Sequence, residues 1–405
     1  RNNNARALCA PMPLVANNTS SPAAIHHHTR LQQSAHAFWE ASQCWATDTQ
    51  GYWVQRELAP FMRARSFVNR AGVHTFEYKS VTPGADDEDI REFYAKLSLG
   101  EGARVSCNST QPSPQCVRSS ERYRWKPATR DRLGIERVDR GAFCDIMWAR
   151  GVRRISFYGD SMTRSMVHSL WALLGFTGFL SPCPRDREEG CLQTVPCGNY
   201  PSVVVHQIRE RDTGAVRDNV TNLVRSIELA DITVMNFGAH YVPLLYNDSF
   251  SSAFQAYVED MGTLATAVRK VLQQAPHKRI IFRSSPLGHA KCDQYKRLAP
   301  STRESQDATA RAWEGCEDCR GGWGWTLFPA YDRIARDILE PAGANFLDVS
   351  TLSNQRPDAH TAFRHGGGRL PPDCLHFSLP GVPDWWNALL LSAIQRCVPP
   401  RQDAQ

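Results

Sequence analysis

The chain has 405 residues, of which 42% are hydrophobic and 22% charged, and its 47 basic and 41 acidic side chains leave a formal net charge of +6. That balance belongs to a globular protein and excludes a disordered chain, a collagen-like repeat and a coiled coil. No run of about 18 apolar residues is present, so the sequence carries no transmembrane helix, and the small basic excess is not gathered into a block that would bind nucleic acid. The first residue is Arg1 rather than Met, so a signal segment or membrane anchor is expected to lie outside this sequence.

Residues 1–35 read as a disordered arm, with Asn2, Asn3, Asn4, Pro11 and Pro13 early on and His26, His27 and His28 near its end, read as solvated rather than ligating. Residues 36–150 keep no sustained period and are expected to form short strands and loops packed on the rest, in a cysteine-containing region. After residue 150 the pattern changes. Arg153–Tyr158 alternates and predicts a strand, Gly159, Asp160 and Ser161 break it, and Met162, Met166, Leu170, Leu173 and Leu174 follow at helical spacing. Strands are predicted over 202–208, 231–236, 279–283 and 345–349. Helices are predicted over 253–272, on a stripe that includes Tyr257, Met261, Leu264 and Val268, and over 330–339 and 383–396. Strands alternating with helices predict an α/β fold, a doubly wound and mostly parallel sheet with helices on both faces, spanning residues 151–398 as the catalytic domain.

The 13 cysteines are an odd number, and several fall in loops, as Cys183, Cys191 and Cys197 do. Loop cysteines predict disulfides in an oxidising compartment. Glycosylation triplets beginning at Asn17, Asn18, Asn108, Asn219 and Asn247 point the same way. Cys374 and Cys397 flank the last helix and are expected to pair, stapling the loop before it. Cys316 and Cys319 have the spacing of a half zinc site, but no second pair follows nearby, so no metal and no other cofactor is expected.

In doubly wound sheets the site lies at the carboxyl ends of the strands. Ser161 follows a strand directly and opens a helix, where unpaired N–H groups favour a developing oxyanion. Gly159 allows the tight turn and Asp160 adjoins it. A serine nucleophile needs a base. Asp373-Cys-Leu-His376 supplies one, with Asp373 placed to fix the tautomer of His376. Asn236, Gly238 and His240 end another predicted strand and are candidate oxyanion donors or substrate contacts. Arg283 and His289 end a third and could line the cleft.

Gly159-Asp-Ser161 with Asp373-x-x-His376 resembles the GDSL/SGNH hydrolase superfamily. The tail Asp373-Cys-Leu-His-Phe-Ser-Leu-Pro-Gly-Val-Pro-Asp-Trp-Trp-Asn387 resembles the PC-esterase family, which includes the trichome-birefringence-like polysaccharide O-acetyltransferases. Gly51–Val54, Tyr123–Pro127 and Met162–Arg164 match further family segments, Asn236–His240 matches one imperfectly because the family's histidine sits one residue earlier after the glycine, and Arg283-Ser-Ser-Pro departs from the family's arginine-threonine segment. The resemblance implies an SGNH-like fold and a ping-pong acetyl transfer: Ser161 accepts acetyl from a donor, His376 moves the proton, Asp373 orients His376, and a glycan hydroxyl takes the acetyl. It also implies a Golgi-lumen enzyme on a type II membrane anchor. An acetylesterase with the same triad and a non-catalytic glycan-binding domain are the alternatives.

Overall fold

A computed structural model of the chain describes residues 138–174, 191–209, 216, 220–247, 249–289, 292, 325–360, 374–377 and 381–400, with the backbone of four earlier strands. Those strands form two antiparallel pairs, β1 (Gly51–Gln55) with β4 (Tyr123–Pro127) and β2 (Met62–Val68) with β3 (His74–Ser80). A helix then appears where only strands and loops were expected: α1 (Arg140–Ala149) starts at Asp139, whose carboxylate accepts from the Ala142 N–H at 3.0 Å, and buries Phe143, Ile146 and Met147 at helical spacing.

The main sheet has six strands in the order β10-β9-β8-β5-β7-β6. β5 (Arg154–Gly159) is central, flanked by β7 (Tyr200–Arg209) and β8 (Ile232–Asn236), with β9 (Arg279–Arg283) and β10 (Asn345–Leu347) beyond β8. All neighbours are parallel except the edge strand β6 (Cys191–Cys197), which runs antiparallel to β7. The alternation that predicts β5 does not mark a wet face. Ile155, Phe157, Tyr158 and also Ser156 are buried, as expected for a parallel strand covered on both sides.

Two groups of helices supply that cover. α2 (Ser161–Leu173) packs against α7 (Val382–Cys397), which also meets α1, while α4 (Phe250–Gln274) packs against α3 (Val220–Leu229) and α5 (Phe328–Leu339). A short α6 (Ser350–Asn354) follows β10. The chain leaves β5 first toward β7 and then crosses to β8 on the other side. That reversal of direction opens a crevice at the carboxyl end of β5, which is where Ser161 lies. Cys144 in α1 is bridged to Cys197 at the end of β6, tying the edge strand to the helix layer.

Candidate active site

The turn after β5 is set by its neighbours. Gly159 has φ +153°, and a Cβ there would stand 2.3 Å from the Asn236 carbonyl oxygen and 2.7 Å from Thr163 Oγ1. Only a residue without a side chain lets β8 come this close. Asp160, not Ser161, is the helix cap: its Oδ1 accepts from the N–H groups of Met162 at 2.8 Å and Thr163 at 3.4 Å. Ser161 is therefore the first residue of α2, at the positive end of its dipole.

His376 arrives from the far end of the sequence. Its Nε2 lies 2.7 Å from Ser161 Oγ, across 215 residues. Both side chains are half-buried, whereas Asp160, Asn236 and Arg283 behind them are buried. The loop carrying His376 is tied down on either side. Cys374 is bridged to Cys292, not to Cys397, and its carbonyl accepts from the His289 N–H at 2.9 Å. Phe377 pairs with the backbone of His360. The expected staple on this loop therefore exists, with a different partner. Spacing in sequence does not choose partners, and Cys292 is brought in by the segment after β9. Cys191 and Cys397 are also disulfide-bonded.

Asn236 and Arg283, the last residues of β8 and β9, form a reciprocal pair. Asn236 donates to the Arg283 carbonyl at 2.8 Å and to Ser285 Oγ at 2.9 Å, and its Oδ1 accepts from Arg283 Nη2 at 2.7 Å. The guanidinium also donates to the Ser284 carbonyl at 2.6 Å and lies over the Trp386 ring, 4.9 Å from its centroid. Burial lowers the Arg283 pKa to about 10, against the pull of Asp160 and Asp332, so it stays charged at neutral pH. Asp332 in turn accepts from the Ser285 N–H with both oxygens, at 2.9 and 3.0 Å, and burial raises its pKa well above the carboxylate range.

The tail motif acts on the serine's helix. Asn387 donates to the Met166 carbonyl, Ser169 Oγ and the Pro383 carbonyl at 3.0, 3.0 and 3.1 Å. Asp384 accepts from Ser169 Oγ at 2.5 Å and from the Gly381 N–H at 2.9 Å. Trp386, fully buried, donates to Ser353 Oγ. Asp384 and Asn387 clamp α7, which follows the histidine, onto α2, which begins with the serine, while Trp386 ties α7 to α6.

The structure thus brings Ser161, His376, Gly159 and Asp160 together. Arg283 and His289 do not line a cleft, because each is fully buried, and both amide hydrogens of Asn236 are already engaged. Gly238 (φ +155°) follows β8, where a Cβ would stand 3.1 Å from Ser285 Oγ, and His240 sits half-buried in the next turn. Asp373 lies outside the described residues, as do Cys316 and Cys319. His360, behind the His376 loop, was not singled out by the sequence. Among the described residues no cluster of His, Cys, Asp and Glu could hold a metal ion, and no helix is long and apolar enough to cross a membrane.

The model of the PC-Esterase family, described as a GDSL/SGNH-like acyl-esterase family found in Pmr5 and Cas1p, matches residues 206–393. Xyloglucan O-acetyltransferase 1 of Arabidopsis thaliana is 23% identical over 330 residues, 72% of this chain and 76% of that protein. Probable xylan O-acetyltransferase 9 of Oryza sativa subsp. japonica is 24% identical over 327 residues, 68% of each. Xylan O-acetyltransferase 2 of the same rice is 30% identical over 155 residues, 35% of this chain, and the match spans only 30% of that protein's length.

Proposed function

Because this chain belongs to the PC-esterase family of GDSL/SGNH-like acyl-esterases, we propose that it transfers an acetyl group to a glycan hydroxyl through an acyl-enzyme on Ser161. The observation that carries the reading is the 2.7 Å contact between Ser161 Oγ and His376 Nε2. In the first half-reaction, Oγ attacks the carbonyl carbon of an acetyl donor while His376 Nε2 takes the hydroxyl proton. The tetrahedral oxyanion is met by the Ser161 N–H at the start of α2, with the Gly238 N–H as a second donor. His376 then gives its proton to the leaving group. In the second half-reaction it deprotonates a glycan hydroxyl, which attacks the acetyl carbonyl and frees Ser161.

In this scheme Asp373 holds the far nitrogen of His376 and fixes its tautomer. Asn236 and Arg283 brace the turn of Gly238 from below rather than touching substrate. The donor, the glycan acceptor and a secretory-pathway location belong to the same proposal. The disulfides Cys144–Cys197 and Cys292–Cys374 suit an oxidising lumen.

The test uses a generic acetyl ester with and without oligosaccharide. Acetyl appearing on sugar, detected by mass spectrometry, supports transfer. Release as acetate alone, whatever the acceptor, makes the protein an acetylesterase with the same acyl-enzyme. No covalent labelling of Ser161 by a fluorophosphonate, and no turnover, leaves a glycan-binding domain.

A further inference from the structure

The loop that carries His376 is held from behind by two more histidines, both fully buried: His289, after β9, and His360, after α6. His289 Nδ1 lies 2.7 Å from His360 Nε2. Their outer nitrogens face backbone carbonyls. His289 Nε2 is 2.9 Å from the Asn354 oxygen, and His360 Nδ1 is 3.2 Å from the oxygen of His376 itself. The His360 ring also stacks on Phe377, with centroids 4.4 Å apart.

Counting hydrogens decides what this row requires. Carbonyl oxygens only accept, so the three contacts need three hydrogens on the ring nitrogens. Two neutral imidazoles carry two between them. With two, one contact must set lone pair against lone pair at hydrogen-bonding distance. The row is complete only when the pair holds a third proton. Burial lowers the His289 pKa to about 4, against the pull of its bond to the Asn354 carbonyl, which puts the third proton on His360. A buried imidazolium is costly unless each N–H finds an acceptor. Here one N–H meets His289 Nδ1 and the other the His376 carbonyl.

We propose that His289 and His360 are positioning residues for His376: while the pair holds its third proton, His360 donates to the His376 carbonyl and fixes the imidazole against Ser161. This rests on the reading of His376 as the general base. The titratable side chains on the surrounding described elements have other bonds. Arg356 and Asp358 pair with each other at 2.8 and 2.9 Å, Arg283 is bonded to Asn236, Asp348 accepts from Ser284 and Ser350, and Asp384 from Ser169. His376 is the remaining one, and it faces Ser161.

The test has one arm that needs no turnover. In the full chain labelled with 15N-histidine, NMR at pH 7 is expected to show one buried ring protonated on both nitrogens and one neutral ring, assigned by loss of signals in His289→Phe and His360→Phe. Two neutral rings overturn the proposal. The second arm is the pH profile of fluorophosphonate labelling of Ser161. The expected wild-type profile falls above neutral pH as the pair loses its third proton. His360→Phe keeps the stack on Phe377 but removes the donor, and labelling is expected to slow by about 10- to 100-fold. His360→Asn restores an N–H near the Nδ1 position and is expected to recover much of the rate without the falling limb. Wild-type rate and profile in both variants overturn the proposal. If His360→Phe does not fold, His289→Phe serves. It lets a neutral His360 carry its hydrogen on Nδ1, so the falling limb is expected to vanish, and its persistence overturns the proposal. A wild-type protein that is never labelled defeats the catalytic reading alone, and the NMR arm still decides the pair.

Discussion

Gly159 and Asn236 meet across the β5–β8 pair with no room for a side chain between them, since a Cβ at Gly159 would stand 2.3 Å from the Asn236 carbonyl oxygen. The obstacle is backbone, so it does not swing aside. Gly159→Ala must either push β8 away or shift the turn that presents Ser161. It is expected to cost about 2–4 kcal/mol and to slow Ser161 labelling by about 100-fold. Thermal melting and labelling rates check both, and wild-type values for the two would remove the argument for this glycine.

Ser161→Ala leaves the Asp160 cap in place, so its stability is expected to stay within about 1 kcal/mol of wild type. Turnover of an acetyl ester is expected to fall by several orders of magnitude. His376→Ala is expected to be nearly as severe, and Asp373→Asn less so, because the imidazole remains while its tautomer is no longer fixed. A folded Ser161→Ala protein with wild-type turnover would end the acyl-enzyme scheme.

Non-reducing peptide mapping is expected to recover Cys292 joined to Cys374. Replacing both by Ser is expected to lower stability by about 2–4 kcal/mol. Activity is expected to fall further than stability explains, measured well below the melting temperature, because the bridge anchors the loop two residues before His376.

Asn387→Leu removes the two amide hydrogens shared among the Met166 carbonyl, Ser169 Oγ and the Pro383 carbonyl, and so unties α7 from α2 at this point, although both carbonyls keep their own helix bonds. A loss of about 2–4 kcal/mol is expected by denaturant titration. Asn387→Asp is expected to be worse, since it turns an acceptor toward those same carbonyls.

Acid stability carries a signature of His289. Its pKa falls from the ordinary 6.5 to about 4 in the folded protein. Between those values the unfolded chain binds a proton on this ring that the folded one refuses, so stability falls as pH falls through the window, by up to about 3 kcal/mol. Urea titrations at pH 6.5 and 4.5 are expected to show a shallower decline in His289→Phe than in wild type.

Periodicity made β5, β8, β9, α2, α4 and α7 legible, since each has a long enough apolar pattern to declare its class. α3 was overlooked although Val220, Leu223, Val224 and Ile227 stand at helical spacing, with Leu223 and Ile227 buried and Val220 and Val224 packed against the core. The edge strand β6 escaped because Pro196 and its exposed positions read as loop. Ser161 was visible because it follows a strand and opens a helix after Gly159, and His376 because a serine nucleophile needs a base and Asp373 stands three residues before it. The places of Arg283 and Asn236 were not visible, because a strand-end arginine looks the same whether it faces substrate or lies under the site against Trp386. Which cysteine reaches Cys374 depends on the crossing from β9, which no local pattern encodes.

The separation of 215 positions between Ser161 and His376 also sets a clock. At about 5–20 residues per second, synthesis takes roughly 10–40 s to pass from one to the other. During that interval the nucleophile's helix exists without its base, and without the Asp384 and Asn387 bonds that hold it from the other side. Ribosome-bound intermediates are therefore expected to resist labelling until His376 has emerged.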